Sequence, residues 1–251
     1  MKFGAQLYNF REAMAKDYEG TLKRIAALGF DGVEVLNYTG PMSPKEYADF
    51  LASLNLECAG YMHNPDVLLD ADGVCYEYAK ALNAPAVSIS WSSQYDYINK
   101  WRDIPEVLKK IGLAAKKNGL QFAYHNHWYD SFPIDGESLL HKLLNANAPD
   151  LVFAEPDICW LNRAGLEPAA FIRRYAKRIR QIHFKDILVA DDRSTTAPLG
   201  TGCIDLKAAY TAALESDAQW IIYEQDFSSD PFADAEKSIT FLKKLEMGLP
   251  R

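Results

Sequence analysis

Eight short apolar runs, each followed by a stretch of helical spacing, predict an α/β protein: a single (β/α)8 TIM barrel over residues 1–251. Alternation of strand and helix implies a parallel sheet with helical crossovers. Eight such units in 251 residues suit a closed barrel better than an open, doubly wound sheet. No glycine-rich dinucleotide fingerprint follows any run, and no Walker-type phosphate loop is present. Linkers and low-complexity segments are absent too, so one domain is expected.

The first strand is read at 3–7, leading into Tyr8 and Asn9. A helix over 18–28 follows, with Leu22, Ile25, Ala26 and Leu28 on one face and Gly29 as its stop. Strand 32–36 contains Glu34. Ser43, Pro44 and Glu46 then open a helix as N-cap, first-turn proline and capping-box acid. Strand 57–61 runs on to His63, helix 73–82 follows, and strand 86–90 ends at Trp91. Helix 104–118 stops at Gly119, and strand 120–124 runs into His125, Asn126, His127 and Asp130. The second half reads as helix 136–145, strand 151–155, helix 167–178, strand 179–184, helix 206–214, strand 220–223 and helix 234–245.

Composition narrows the function. With 49% hydrophobic and 24% charged residues, the chain is ordinary for a globular protein and long enough to bury a core without staples. A net charge of -7 argues against nucleic acid or an anionic membrane as partner. Cys58, Cys75, Cys159 and Cys203 are scattered and are expected to be reduced, mostly buried thiols. Residues 1–6 lack the apolar run of a signal peptide, and no stretch approaches a bilayer span, so a soluble cytoplasmic protein is expected.

The polar residues then point to a site. In such a barrel chemistry sits at the C-terminal ends of the strands. Of the five histidines, His63, His125, His127 and His183 fall at or just past strand ends, while His141 falls in a helix and is set aside. His125 and His127 share a strand face and could bind metal, move protons or grip a ligand. Glu155 and Asp157 close the sixth strand, Asp186 follows the seventh, and Glu224 and Asp226 close the eighth. Buried carboxylates cost several kcal/mol unless they meet cations, so this ring implies a metal or Lys/Arg partners. Mixed N/O donors favour a divalent first-row ion over Ca2+.

Lys185 is read either as an oxyanion stabiliser or as a partner of Asp186. Arg173, Arg174, Lys177, Arg178 and Arg180 read as a solvated basic face at a helix end. The turn 198–202 offers glycines for close backbone approach to a ligand. Trp91, Trp101, Trp128 and Trp160 could offer stacking surfaces for a sugar ring, although core or rim packing is the favoured reading of any one of them.

Several motifs carry a family resemblance: Tyr124-His125-Asn126-His127; Glu155-Pro156-Asp157-Ile158-Cys159-Trp160; Ile182-His183-Phe184-Lys185-Asp186; Pro198-Leu199-Gly200-Thr201-Gly202; and Tyr223-Glu224. In order and spacing the chain resembles the xylose isomerase-like TIM barrels, the sugar phosphate isomerase/epimerase superfamily, over essentially its whole length. The resemblance implies one divalent ion, with Mn2+ favoured over Zn2+, Co2+ or Mg2+. Its ligands would include Asp157, His183 and Glu224. Where the family carries a fifth-strand Glu, this sequence has His125, which is preferred as the remaining ligand, with His127 second and Asp130 third.

The implied activity is isomerase/epimerase chemistry next to the carbonyl of a sugar or keto-sugar, through an enediolate. A keto-sugar lyase or dehydratase on the same site is the alternative. Glu224 is the expected base, with Lys185 and Glu155 as orienting or oxyanion-stabilising groups. Glu34, His63, Trp91, His127 and Trp160 are the expected substrate contacts. Barrels of this type often pair, so a homodimer is one of the states left open. Two other classes share the fold: a DNA-repair endonuclease, which the charge of -7 disfavours, and a non-catalytic sugar-binding barrel.

Overall fold

Helical capping, strand alternation and turn chemistry place most elements where the sequence puts them. The computed structural model describes residues 1–38, 40–89 and 99–248. Its strands are β1 Lys2–Gln6, β2 Gly32–Leu36, β3 Glu57–His63, β4 Val87–Ile89, β5 Phe122–His125, β6 Phe153–Glu155, β7 Gln181–Phe184 and β8 Trp220–Tyr223. The principal helices are α1 Tyr18–Leu28, α2 Pro44–Ser53, α3 Val74–Ala81, α4 Ile104–Lys117, α5 Leu139–Asn145, α6 Pro168–Arg174, α7 Leu206–Leu214 and α8 Pro231–Met247. Trp91 lies outside the described residues, so its expected role as a substrate contact has no structural counterpart here.

The eight strands form one parallel sheet in the order β6-β5-β4-β3-β2-β1-β8-β7. The circle closes between β6 and β7 through isolated bridges, Ala154 to Ile179 and Asp157 to His183. There the His183 N–H donates to the Pro156 carbonyl at 2.9 Å. The (β/α)8 barrel expected from the alternation is therefore observed.

Three segments differ from the sequence reading. Residues 133–138 form a two-stranded hairpin ahead of α5, with Asp135 and Gly136 at positive φ in its turn; an Asp-Gly pair favours this turn over a helix start. An additional helix, Ile158–Arg163, starts directly after β6 because the Asp157 carboxylate accepts the Cys159 and Trp160 N–H groups. The helix read over 167–178 breaks after Arg174, and the basic residues there are not one solvated face. Arg178 is buried and donates to the carbonyls of Val152 and Asn147, while Arg173 and Lys177 pair with Glu215 and Asp217.

The turn 198–202 also has a different job. The buried Asp186 carboxylate accepts backbone N–H groups from Ile187, Gly200, Gly202 and Ile204, at 2.8–3.2 Å. A Cβ at Gly202 would collide with that carboxylate. These glycines bring backbone up to Asp186 rather than to a ligand. Cys58, Cys75 and Cys159 are buried free thiols and Cys203 is exposed. No helix among the described residues is long and apolar enough to cross a membrane.

Candidate active site

Alternation along each strand builds the site in layers. Residues two apart point to the same side, so β7 with its extension directs Gln181, His183 and Lys185 inward. In the same way β6 directs Glu155 and Asp157. His183 sits at the centre because β7 neighbours both β6 and β8. Ligand atoms of His125, Asp157, His183 and Glu224 lie within 4.8 Å of one another, and all four residues are buried. Of the three fifth-strand candidates, it is His125 that joins this group. The Asp130 carboxylate turns back to accept from the Tyr124 hydroxyl and the His127 N–H. His127 instead forms part of the pocket wall, stacked on Tyr129 with its ring 5.5 Å away.

Beneath His183 lies a second, deeper layer. The ring Nε2 is 2.7 Å from Glu34 Oε2 and 2.9 Å from Glu155 Oε1, and Nδ1 is 2.8 Å from Glu224 Oε2. The Gln181 amide donates to both Glu34 and Glu155, and the Gln6 amide donates to Glu34. The ring thus turns Nε2 toward the lower carboxylates and Nδ1 toward Glu224 and the upper group. Burial and the neighbouring Glu34 carboxylate push Glu155 up to about 8.

Two sequence assignments are corrected here. Glu34 was expected against substrate and Glu155 among the catalytic groups, yet both are fully buried below His183 and neither lines the pocket. Alternation shows which side a residue faces; the stagger of the strands decides its depth.

Lys185 lies among other carboxylates than the one expected for it. It does not pair with Asp186. Its ammonium lies 3.0 Å from Asp157 Oδ2, 3.0 Å from Glu224 Oε2 and 3.3 Å from Asp226 Oδ2, with the Trp160 ring 4.4 Å away. Burial opposes its charge, but these three carboxylates hold it well above the ordinary lysine value. Burial would likewise raise Glu224; the Lys185 ammonium and the His183 ring overcome it and hold that carboxyl well below its usual range.

Above this floor opens a pocket of about 240 Å³. His125, Glu224, His127 and Trp160 reach it. His63 does not line it; its Nδ1 accepts the Asn64 N–H, and Asn64 takes the place at the wall. Asp226 and Trp128 line it as well, while residues missed from sequence include Arg193, Asn37 and Tyr8. Asp226 had a legible signal, being two residues past Glu224 and so on the same side. Arg193 comes from a long excursion after β7, and no strand pattern points to it.

Asp130 supplies a pH-dependent test. Burial pushes its carboxyl up to about 8 despite hydrogen bonds from His127, Tyr124 and Ser131. A folded-state pKa above the unfolded value of about 3.9 means the folded protein binds more protons between those pH values. Its contribution to stability is therefore lost as pH rises from about 4 to about 8. The Asp130→Asn variant, which keeps the shape and the accepting oxygen, is expected to melt a few degrees higher than wild type at pH 8 and to match it at pH 4. Melting curves across that range check this, and an unchanged pH slope in the variant refutes it.

The cluster is equipped to hold a divalent cation. Within it the His125 Nδ1 is buried without a hydrogen-bond partner. Two imidazoles and two carboxylates suit a divalent first-row ion.

Similar proteins agree on the architecture. An inosose dehydratase from Clostridium beijerinckii is 27% identical over 170 residues, 59% of this chain and 56% of that protein. The chain thus spans just over half the length of that curated relative. The crystal structure of a sugar phosphate isomerase/epimerase from Parabacteroides distasonis superposes with a TM-score of 0.76 at 19% identity, covering 96% of this chain and 93% of the other. The IOLI protein, solved with a bound zinc atom, gives 0.75 at 14% identity, with 98% of each chain covered. Residues 22–245 match the sequence profile of the xylose isomerase-like TIM barrels, and the chain belongs to that family.

Proposed function

We propose that the protein is a divalent-metal-dependent enzyme that removes a proton next to the carbonyl of a keto-sugar or cyclic keto-polyol. Dehydration is the outcome favoured over isomerisation. The observation that carries the reading is the buried group of His125, Asp157, His183 and Glu224 at the floor of the pocket. These four would hold the ion, and Mn2+ is our choice among those the donor set suits. When bound, the ion supplies charge stabilisation to the carbonyl oxygen as the neighbouring carbon loses its proton.

The chain's own groups do the rest. Glu224 lines the pocket as a carboxylate and takes the α-proton. Lys185, 3.0 Å from Glu224, keeps that carboxylate ionised and oriented. Breaking the β C–O bond then releases hydroxide, which leaves as water with the proton held by Glu224, giving an unsaturated ketone. With His125 where the family carries a fifth-strand Glu, no second carboxylate faces substrate from β5. One base suits elimination or aldose–ketose isomerisation and suits two-base epimerisation poorly. The curated relative's name, inosose dehydratase, supports elimination.

The test combines elemental analysis with turnover of inosose and a keto-sugar panel in D2O. Bound divalent metal, loss of one water and rising enone absorbance are expected. Deuterium at a carbon of inverted configuration would replace this reading with two-base epimerisation; absence of both metal and turnover would reject the enzyme reading.

A further inference from the structure

Four non-glycine residues adopt positive φ: Asn37 at 47°, Asn55 at 56°, Asn83 at 51° and Asp135 at 52°. Three have ordinary local reasons. Asn55 and Asn83 follow the ends of α2 and α3, donating their N–H groups back into the last turn, and Asp135 makes the hairpin turn. Asn37 is different. It follows β2 directly, at the barrel end that carries the pocket, and its N–H donates to the Met62 carbonyl of β3 at 2.9 Å. The sheet hydrogen bonding thus continues one residue past the strand while the left-handed turn redirects the chain. Such backbone conformations persist where surrounding structure imposes them, and they gather at binding sites.

The side chain also stands apart. Asn37 is exposed and lines the pocket, and its side chain makes no hydrogen bond to any described residue. Gln6, which also lines the pocket, is by contrast committed to the protein: it donates to Glu34 and accepts from the Tyr8 N–H. Strand order fixes where Asn37 lies: β2 is four places from β6 around a circle of eight, hence diametrically across the barrel. The upper group comes from β5 to β8. Asn37 therefore stands across the pocket mouth from Asp157 and Trp160.

We infer that Asn37 is a specificity residue that reads a hydroxyl group of the substrate at the end remote from the reacting carbonyl. This rests on the pocket accepting a polyhydroxylated keto-compound, as proposed above. A carboxamide both donates and accepts, so it matches a hydroxyl, which does the same. A substrate held with its carbonyl toward the group contributed by β5 to β8 presents its far hydroxyls to β2.

Asn37→Gly isolates this role, because glycine adopts the left-handed conformation freely and only the carboxamide is lost. The probe is myo-inositol, an uncharged cyclic polyol, titrated against tryptophan fluorescence of wild type and variant alongside its monodeoxy analogues. Loss of one net hydrogen bond is expected to weaken myo-inositol binding about tenfold, with metal content and melting temperature unchanged. One monodeoxy analogue is expected to bind wild type and variant equally, which identifies the hydroxyl that Asn37 reads. Equal affinity of wild type and Asn37→Gly for myo-inositol overturns the inference. If wild type binds no polyol at all, the substrate class proposed above fails, and this inference with it.

Discussion

Asp157→Ala and Glu224→Ala are expected to lose bound divalent metal and turnover together, with activity falling by at least about a thousandfold. Each change removes a donor from the buried group and leaves the remaining charges uncompensated. Without Asp157, the Lys185 ammonium retains only Glu224 and Asp226 as carboxylate neighbours. A broken buried charge network costs roughly 3–5 kcal/mol, so the alanine variants are expected to melt lower as well. Asp157 also caps the helix Ile158–Arg163 through the Cys159 and Trp160 N–H groups. Asp157→Asn separates the two roles, because asparagine is a competent N-cap but a poor metal ligand. That variant is expected to stay folded and metal-depleted. Elemental analysis of dialysed protein decides the matter; full occupancy in both alanine variants would remove Asp157 and Glu224 from the ligand set.

The second large effect is expected from Asp186→Ala, and on stability. The Asp186 side chain satisfies four backbone N–H groups, those of Ile187, Gly200, Gly202 and Ile204. Hydrogen bonds to a charged acceptor are worth about 1.5–3 kcal/mol each, and orphaned donors cost as much again. Water can reach the exposed Gly200 and Gly202 in the variant, so the total falls well short of the sum. A loss of roughly 3 kcal/mol or more follows, about 6–12 °C in melting temperature for a chain of this size. The segment 198–205 packs against this carboxylate, so faster proteolysis there accompanies the loss. A melting temperature within about 2 °C of wild type would show that the turn is held by other contacts.

Much of the architecture was legible in the chain. The capping box at Ser43 and Glu46 is present as read, with the Ser43 hydroxyl accepting the Glu46 N–H and the Glu46 carboxylate accepting the Ser43 N–H. Gly29 ends α1 with φ 85°, as expected of a helix stop. These signals are local: they depend on hydrogen bonds within a few residues, and nothing distant competes with them. Where the reading went astray, a tertiary contact overrode a local pattern. Arg178 looks like a helix-end cation, yet it is drawn inward by two carbonyls from the preceding unit. The helix Ile158–Arg163 exists because Asp157 caps it, although the same residue had been read for its place in the cluster.

By itself, then, the sequence determined the fold class, the end of the barrel that carries the polar residues, and the four residues whose ligand atoms converge. Period-two alternation and the rule that barrel chemistry sits past the strand ends suffice for the first two; the four residues were the set that the family resemblance implied. Depth was decided only by the tertiary structure. Glu155 and Asp157 face the same side of β6, but the closing bridge sets Asp157 level with His183 and leaves Glu155 one layer below it. That stagger is a property of the closed circle of strands, not of any one of them. The same closure places Lys185 among Asp157, Glu224 and Asp226 instead of beside Asp186, and sets Asn37 across the mouth from them. No single stretch of the chain encodes these relations, because each depends on strands that meet only when the barrel is complete.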